Sequence, residues 1–319
     1  MNYTVIGHFC FDMVFKSGEE QPVEYIGGIA HSLAALAALA ASTDVIFPVF
    51  GVGTADYDRT TEWLKRFPNV NADGVYKFKG MTNRVHYYPS PEGNGFTQCP
   101  KQFADPIPSS RVRQFLDVNG VLINMQSGFD LTLETLDFIR TELRERKVPI
   151  HFDFHTLTLG IDGDSKRFRR PMTDWRRWCF MINSVQMNQE EAAGLTAERF
   201  DEATLINHMM PLMVDALLIT RHQAGTTLIR QDQKKLTRYE IPGVPIEHAL
   251  ESKGAGDVFG AAFLYQYLKT RNVPLSAAYA NLAGGVKTML QGVDEYSRLP
   301  ELMKEYKEDA LLKPSGVQI

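Results

Sequence analysis

The sequence predicts an α/β protein with a mainly parallel sheet that is covered by helices on both faces. Short apolar segments, typical of buried strands, alternate with helical segments along most of the chain, and two long helical segments occupy its last third. The 319 residues and 44% hydrophobic content are enough for one large core. We therefore expect one domain over residues 1–319, with ligands bound outside the carboxyl ends of the strands.

Each element is predicted from its apolar pattern. Strands are short apolar runs bounded by polar or turn residues, and we expect them at residues 3–7, 45–50, 121–124, 149–154, 179–182 and 216–220. Helices are longer segments with apolar residues at helical spacing, and we expect them at residues 28–41, 60–67, 133–146, 197–210, 255–270 and 276–290.

A β-like, turn-rich segment interrupts the alternation. Residues 84–88 and 95–99 flank the run Pro89-Ser90-Pro91-Glu92-Gly93, which predicts a hairpin. We expect a small β-sheet lid formed by residues 12–26 and 75–104 and inserted in the α/β core. A lid that closes over a site excludes water from it.

Charge and cysteine usage restrict the partners. The net charge is -4, from 34 basic and 38 acidic residues, so no overall positive field favours nucleic acid or an anionic membrane. The longest small-apolar stretch, residues 29–41, is too short to span a bilayer, and the first residues lack a basic signal-peptide start. Cys10, Cys99 and Cys179 lie far apart and have no CxxC spacing. This spacing favours reduced thiols over disulfides or a zinc site. We expect a cytoplasmic protein with small-molecule ligands.

The run Gly254-Ala255-Gly256-Asp257 opens a helical segment and is the most informative motif. Small residues at a helix N-terminus let main-chain N–H groups approach an anion, and the helix dipole adds partial positive charge. A carboxylate beside a phosphate can accept the proton of an attacking hydroxyl. A tight glycine loop with an ordinary first-turn carboxylate also explains this run when it is taken alone.

Polar residues and glycines follow other predicted strands. Asp12 comes after the first strand, where it is either a fixed carboxylate for ligand hydroxyls or a solvated turn residue, and Gly27-Gly28 leads into the alanine-rich helix. Asn188 and Glu191 form an N-x-x-E motif, for which a helix cap is the alternative explanation.

These blocks, in their order and spacing from residue 3 to residue 292, resemble the PfkB or ribokinase-like family of carbohydrate and nucleoside kinases. The resemblance implies a ribokinase-like three-layer α/β/α sandwich with a mainly parallel central sheet and a small β-strand lid. It also implies an ATP-dependent kinase that uses Mg²⁺ to transfer the γ-phosphate to a primary hydroxyl of a sugar, sugar acid or nucleoside. The lid strands of such a fold often pair between subunits, so a homodimer is expected.

The resemblance further implies roles for individual residues. Asp257 would be the catalytic base, and the anion hole would be formed by Gly254, Ala255 and Gly256. The acceptor would be bound by Asp12, Gly27, Gly28 and Ser32. The nucleotide would be bound by Asn188, Thr220, Gly225, Lys253 and Asn281, with Glu191 acting on the metal through water.

The chain departs from the family pattern at three places. Ser32, preceded by His31, stands where the family usually has Asn. The resemblance therefore does not assure that the acceptor is a common sugar such as ribose or fructose. His222 replaces a usual glycine at the nucleotide turn. Glu251-Ser252-Lys253 stands where Asp-Thr-Thr is frequent, which adds a cation beside the phosphates and puts a monovalent-cation site in doubt.

Two other groups of residues allow different interpretations. His151, Asp153 and His155 alternate along one predicted strand, so they would share a face on which iron or zinc can bind, although polar residues at the rim of such a site have other uses. The basic residues from Lys166 to Arg177 are either a solvated loop or a phosphate contact.

Three function classes follow from these observations. A carbohydrate kinase is the leading hypothesis, and a catalytically weak sugar- or nucleotide-binding sensor of the same fold is the alternative that the departures suggest. A dinucleotide-dependent oxidoreductase is set aside, because Gly7-His8-Phe9-Cys10 stands where G-x-G-x-x-G would follow the first strand.

Overall fold

The computed structural model describes residues 1–16, 18–19, 21–90, 96–233, 235–306 and 316–319. The strands are β1 (Asn2–Ile6), β2 (Phe9–Val14), β3 (Val23–Gly28), β4 (Val45–Gly53), β5 (Val75–Phe78), β6 (Asn83–Pro89), β7 (Phe96–Gln102), β8 (Gly120–Asn124), β9 (Ile150–Asp153), β10 (Leu159–Ile161), β11 (Arg167–Arg169), β12 (Ser184–Asn188), β13 (Ala216–Thr220), β14 (Gly225–Asp232), β15 (Lys235–Pro242) and β16 (Gly316–Gln318). The helices are α1 (Ala30–Leu39), α2 (Tyr57–Leu64), α3 (Ser109–Val112), α4 (Leu133–Arg144), α5 (Trp175–Cys179), α6 (Gln189–Gly194), α7 (Glu202–Met209), α8 (Ala255–Thr270), α9 (Val273–Lys287) and α10 (Leu299–Glu305).

A ten-stranded sheet organises the core, in the order β16-β15-β14-β13-β12-β9-β8-β1-β4-β5. The strands from β13 through β12, β9, β8, β1 and β4 to β5 pair in parallel, whereas β14, β15 and β16 add antiparallel strands at one edge. The predicted α/β class with a mainly parallel central sheet is therefore confirmed. The carboxyl ends of the parallel strands meet at one edge, which is where ligands bind in such sheets.

The central strands are apolar on both faces, as strands covered by helices must be. Every residue of β8 is buried, and α1 is almost entirely buried against the core. The alanines of α1 let its backbone approach the neighbouring helix α8, which also packs against α9, β8 and β9. No helix within the described ranges is long and apolar enough to cross a membrane.

A separate four-stranded sheet, in the order β3-β2-β6-β7, corresponds to much of the predicted lid. We call it the lid sheet. Strands β6 and β7 are antiparallel, as the predicted hairpin requires, although residues 91–95 of the intervening turn lie outside the described residues. Strand β5, which the prediction included in the lid, pairs with β4 in the large sheet instead, because its residues continue the parallel register.

Two element predictions need correction. The strand expected at residues 179–182 is wrong, because Cys179 is the last residue of helix α5 and the strand begins at Ser184. The apolar run around Trp178 is the buried side of a short helix, which periodicity cannot distinguish from a strand. Helix α7 begins at Glu202 and not at 197, since the Asp201 side chain accepts the Thr204 N–H at 2.8 Å and caps the helix there. The hairpins β10–β11 and β14–β15 were not predicted.

A buried lysine joins α9 to the segment that leads into α8. The Lys287 side chain is 0% exposed, and its ammonium donates to the main-chain oxygen of Glu251 at 2.9 Å and lies 3.2 Å from the Glu251 carboxylate. The same carboxylate accepts the N–H of Gly292 at 3.0 Å. Burial lowers the pKa of Lys287, and the charge of Glu251 opposes this effect. The pair fixes the chain just before residues 254–257.

We expect Lys287→Ala to lower the free energy of unfolding by about 2 to 4 kcal/mol, because it removes two hydrogen bonds and leaves a cavity. The full penalty for an unpaired buried charge does not apply, since Glu251 is partly exposed to water. Urea unfolding measures the change. Lys65→Ala, at a side chain that is 72% exposed, is the control and should change stability by less than about 0.5 kcal/mol. Equal effects of the two substitutions would contradict a structural role for Lys287.

Candidate active site

The site lies where the N-terminus of α8 meets the carboxyl ends of the parallel strands. Asn124 is the last residue of β8, and its amide group donates to the Asp257 carboxylate at 2.9 Å. Gln186, on β12, donates to the main-chain oxygen of Gly256 at 2.9 Å. The structure therefore brings the predicted Gly254 to Asp257 run to the edge of the sheet.

Gly254 forms the turn that starts α8. Its φ of 81° is left-handed, and a Cβ built there would lie 2.5 Å from His31 Nδ1 and 2.7 Å from the Tyr296 hydroxyl. Both the conformation and the space therefore require glycine. The neighbouring N–H of Ala255 donates to the main-chain oxygen of Ser252 at 3.1 Å, so only part of the predicted anion hole is free.

Two main-chain donors remain at this helix start. The N–H groups of Gly256 and Asp257 find no acceptor in the part of the chain that the structure describes. They belong to the first turn, where N–H groups have no partner within the helix and the dipole is positive. Of the three N–H groups predicted for the anion hole, that of Ala255 is used within the loop, and the assignment of the hole to Gly254, Ala255 and Gly256 stays a prediction.

The Asp257 carboxylate is buried and held from one side. Its Oδ1 accepts from Asn124 at 2.9 Å and also from the amide of Gln126. The Oδ2 atom makes no hydrogen bond to another described residue. Ser32 is also buried here, since its hydroxyl donates to the Asp257 main-chain oxygen at 3.4 Å and accepts from Asn124 at 3.2 Å. Ser32, which was predicted to contact the acceptor, therefore bonds Asp257 and Asn124 in this structure.

Asp12 lies in the middle of lid strand β2 and is buried. Its carboxylate contacts the ammonium of Lys253, and its Oδ1 accepts from the Cys10 thiol at 3.3 Å. Gly27 lies across the strand pair, where a Cβ would be 2.1 Å from Asp12 Oδ2. Asp12 is thus a fixed, buried carboxylate and not a solvated turn residue.

Lys253 joins the lid sheet to the loop before α8. Besides contacting Asp12, its ammonium lies 4.1 Å from the centre of the Tyr87 ring on β6, at a distance typical of a cation–π contact. Burial raises the pKa of Tyr87 well above its usual value. The sequence assigned Lys253 to the nucleotide, whereas its contacts are with Asp12, which was predicted to bind the acceptor, and with Tyr87 of the lid sheet.

Gly28 and His31 complete this side of the site. Gly28 has a φ of 63°, and a Cβ there would lie 2.4 Å from the main-chain oxygen of His8. His31 packs against Gly254 and bonds the Tyr296 hydroxyl through Nδ1 at 2.7 Å, while its buried Nε2 has no partner in the described structure. Burial lowers the pKa of His31, and the charge of Asp257 opposes this effect.

Asn188 and Glu191 form a complete capping box at the start of α6. Asn188 accepts the Glu191 N–H at 2.8 Å, and the Glu191 carboxylate accepts the Asn188 N–H and side-chain amide, both at 2.8 Å. The helix-cap alternative is therefore realised, and any contact with a nucleotide or metal would be additional to it. Asn188 pairs with Thr220 at the adjoining ends of β12 and β13.

The remaining residues predicted for the nucleotide lie beside this pair. Gly225 has a φ of 101°, and a Cβ there would lie 2.0 Å from the main-chain oxygen of Ile241. Asn281 on α9 accepts from the Thr226 hydroxyl at 3.0 Å and donates to the Pro242 oxygen at 2.8 Å. These bonds connect α9 to the start of β14 and the end of β15.

Buried carboxylates surround the same edge of the sheet. Burial raises the pKa of Asp153 well above its usual value, and the charges of Glu191 and Asp257 add to this shift. Burial also raises the pKa of Glu191, although His155 opposes it. A cation that arrived with a ligand would favour the ionised form of these carboxyl groups.

The iron or zinc site considered for His151, Asp153 and His155 is wrong. His151 bonds Ser184 at 2.8 Å and Gln186 at 3.1 Å, and burial lowers its pKa to about 4. His155 lies beyond β9 in a 3-10 turn. No group of three or more His, Cys, Asp or Glu side chains within the described ranges is placed to hold a metal ion.

Sequence reasoning missed Asn124, Gln126 and Gln186, which hold Asp257 and the loop around it. Two of these three residues could have been found from the sequence. Asn124 ends a fully apolar strand, and Gln126 follows it closely, which is where the carboxyl end of a parallel strand places ligand-facing polar groups. Gln186 lies inside a strand and had no such signal.

Gly254→Ala should lower the free energy of unfolding by at least about 1 to 2 kcal/mol, because alanine disfavours the left-handed conformation and its Cβ overlaps His31. Gly256→Ala is the matched control in the same loop. A Cβ there comes only within 3.6 Å of Gln186, and α8 gains a better helix former, so its stability should be unchanged or higher. Urea unfolding of both variants measures the difference, and a Gly254→Ala protein as stable as Gly256→Ala would contradict the assigned turn.

Comparison with known proteins identifies a family over part of the chain. Residues 167–299 match the sequence profile described as pfkB family carbohydrate kinase. The bifunctional protein HldE of Pseudomonas syringae pv. syringae (strain B728a) is 30% identical over 129 residues, which are 39% of this chain and 26% of that protein. The chain thus spans about a quarter of the length of this curated relative.

Solved structures match over nearly the whole chain. Arabidopsis thaliana ribokinase complexed with ribose and ATP has a TM-score of 0.73 at 17% identity, covering 95% of this chain and 98% of that one. A sulfate complex of a pyrophosphate-dependent kinase in the ribokinase family has a TM-score of 0.74 at 18% identity, covering 94% and 99%. The Burkholderia thailandensis nucleoside kinase in complex with inosine has a TM-score of 0.70 at 18% identity, covering 99% of both chains.

At these identities the structural likeness establishes the fold alone. The ribokinase fold expected from the sequence is confirmed. Residues 167–299, less than half of the chain, are similar to the pfkB family of carbohydrate kinases.

Proposed function

We propose that this protein transfers the γ-phosphate of ATP to a primary hydroxyl of a sugar, sugar acid or nucleoside. One observation carries the proposal. The Asp257 carboxylate and two unpartnered main-chain N–H groups, those of Gly256 and Asp257, lie together in the first turn of α8. A base and an anion site side by side are what phosphoryl transfer to a hydroxyl requires.

Asp257 is the proposed base. Its Oδ1 is fixed by the amides of Asn124 and Gln126, which leaves Oδ2 for the acceptor hydroxyl. The acceptor oxygen forms a bond to the γ-phosphorus as the bond to the β-phosphate oxygen breaks. The proton of the hydroxyl goes to Asp257, and ADP leaves. Fixing the base before the reaction removes the need to reorganise it in the transition state.

The start of α8 is proposed to stabilise the transferring phosphoryl group. The free N–H groups and the positive end of the helix dipole favour negative charge at this point. Gly254 permits the turn that aims these groups, and Gln186 holds the loop through the Gly256 oxygen. Such donors are more effective in a buried site than in water.

Mg²⁺ fits the chemistry of the carboxylates on this side. Mg²⁺ usually keeps several waters and takes one or two carboxylates plus phosphate oxygens, so a cluster of three protein ligands is not needed. The buried Glu191 carboxylate, beside Asp153, would hold it through water. The bound ion would neutralise charge on the polyphosphate.

ATP is the proposed donor, and Asn188, Thr220, Gly225 and Asn281 are proposed to bind it. Asn188 and Thr220 are neighbours at the ends of β12 and β13, and hydrogen bonds to Thr226 and Pro242 hold Asn281 in place. Ribokinase-family neighbours include a ribokinase complexed with ATP and a kinase that depends on pyrophosphate, so both donors belong in the assay.

The acceptor side is proposed to be formed by Asp12, Gly27 and Gly28 with the lid sheet above. Lys253 is proposed to stabilise the Asp12 carboxylate and to release it to acceptor hydroxyls. A homodimer through the lid strands remains a proposal as well, and light scattering measures it directly.

Asp257→Asn should lower kcat by at least about a thousandfold, because the amide cannot accept the proton. The fold should be retained, since the amide oxygen can still accept from Asn124 and Gln126. ADP release from Mg-ATP, and phosphate release from pyrophosphate, are measured across pentoses, hexoses, sugar acids and nucleosides. Asp58→Asn is the control, at a side chain that is 93% exposed.

Wild-type turnover in Asp257→Asn would overturn the proposed base. Nucleotide and acceptor binding without any turnover in the wild-type protein would instead favour the sensor.

A further inference from the structure

A cavity between the lid sheet and the core lies next to the proposed base. It is lined by lid residues that include Cys10, Val85 and Gln102, and by Gln126 and Arg167 from the core side. Gln126 also donates to the Asp257 carboxylate. Cys10 bonds the Asp12 carboxylate, so the cavity lining also adjoins Asp12, one of the predicted acceptor contacts.

Arg167 brings a positive charge to the cavity without a matching acid. Its Nη2 donates to the main-chain oxygen of Ser127 at 2.7 Å, which fixes the guanidinium. Its Nη1 is buried and has no hydrogen-bond partner in the part of the chain that the structure describes. Within the described ranges, no carboxylate lies within ion-pair distance of Arg167.

The nearest acid cannot serve as that partner. Asp130 contributes to the electrostatic environment of Arg167, but its carboxylate already accepts from the main-chain N–H groups of residues 8, 126, 127 and 128 and from the Ser127 hydroxyl. Asp12 is in contact with Lys253. The cavity therefore holds an arginine whose charge is not balanced by an acid among the described residues.

Leaving a buried guanidinium nitrogen unpaired is unfavourable, so its retention needs a reason. Burial lowers the pKa of Arg167, although Asp130 opposes this effect. The adjacent arginines differ. Arg169 is within 3.9 Å of the Glu190 carboxylate, and Arg170 is exposed and bonds the Leu159 oxygen. Only Arg167 of these three contributes to the cavity lining.

We infer that the acceptor carries an anionic group, and that Arg167 binds this group. The group is a carboxylate or a phosphate, because these are the anions that guanidinium donors match. The acceptor is then a sugar acid or a sugar phosphate, held with its anionic end at Arg167 and its reacting hydroxyl at Asp257. The placement of the reacting hydroxyl at Asp257 rests on the proposed kinase function.

Binding without nucleotide tests the inference directly. The probes are aldonates and uronates such as D-gluconate and D-glucuronate, sugar phosphates such as D-ribose 5-phosphate, and the neutral parents D-glucitol, D-glucose and D-ribose. Thermal shift and calorimetry are measured with the wild-type protein, Arg167→Met and the control Arg170→Met, which changes an exposed guanidinium on the same hairpin.

We expect at least one acidic probe to bind the wild-type protein and Arg170→Met, and to lose about 10- to 100-fold in affinity in Arg167→Met. The neutral parents should bind weakly and equally to all three proteins. Binding by the sugar acids alone would assign a carboxylate, and binding by the sugar phosphates alone would assign a phosphate.

Stability of the unliganded protein separates this role from a structural one. If Arg167 serves a ligand, Arg167→Met removes an unpaired buried donor, and its melting temperature should be no lower than that of Arg170→Met. A large loss of stability with unchanged binding of acidic probes would overturn the inference. Failure of every acidic probe to bind the wild-type protein would also overturn it.

The two proposals fail in different ways. Acidic probes that bind through Arg167 without ADP release from Mg-ATP would leave the inference standing and overturn the kinase. Phosphorylation of a neutral sugar with the same KM in the wild-type protein and in Arg167→Met would leave the kinase standing and overturn the inference.

Discussion

The left-handed turn at Gly254 is the constraint on which the site depends. It directs the first N–H groups of α8 and the Asp257 carboxylate toward the carboxyl ends of the strands. Neighbouring elements fix the turn from several sides. His31 and Tyr296 fill the space that a Cβ would need, and the Lys287 to Glu251 pair holds the preceding chain. A helix start that is rigid before ligand arrives can stabilise charge without reorganising.

The distribution of charge around this turn is the physical basis of the proposed ligands. Asp153 and Glu191 are buried near Asp257, and burial raises the pKa of each of them. On the lid side, Lys253 is matched to Asp12. Arg167 is left without an acid partner within the described ranges. A metal-bound polyphosphate on one side and an anionic acceptor on the other would balance these charges.

Much of the fold follows from local pattern, because apolar periodicity and glycine-rich turns act over a few residues. The segment 255–270 was predicted with its correct ends, and the parallel order followed from the alternation. The strand expected at 179–182 failed because Cys179 ends helix α5, and the apolar residues that follow it connect this helix to β12, which begins at Ser184. The contact between Lys253 and Asp12 joins residues far apart in the chain, so spacing could not reveal it. Arg167 was recognised only as part of a basic run.

The most direct test of the central claim is a crystal structure with Mg²⁺ and a nonhydrolysable ATP analogue. The account predicts that the terminal phosphate lies within hydrogen-bond distance of the Gly256 and Asp257 main-chain N–H groups, with Asp257 Oδ2 open toward the lid sheet. A terminal phosphate bound at the basic hairpin around Arg169 and Arg170, with the α8 N-terminus making no phosphate contact, would contradict it.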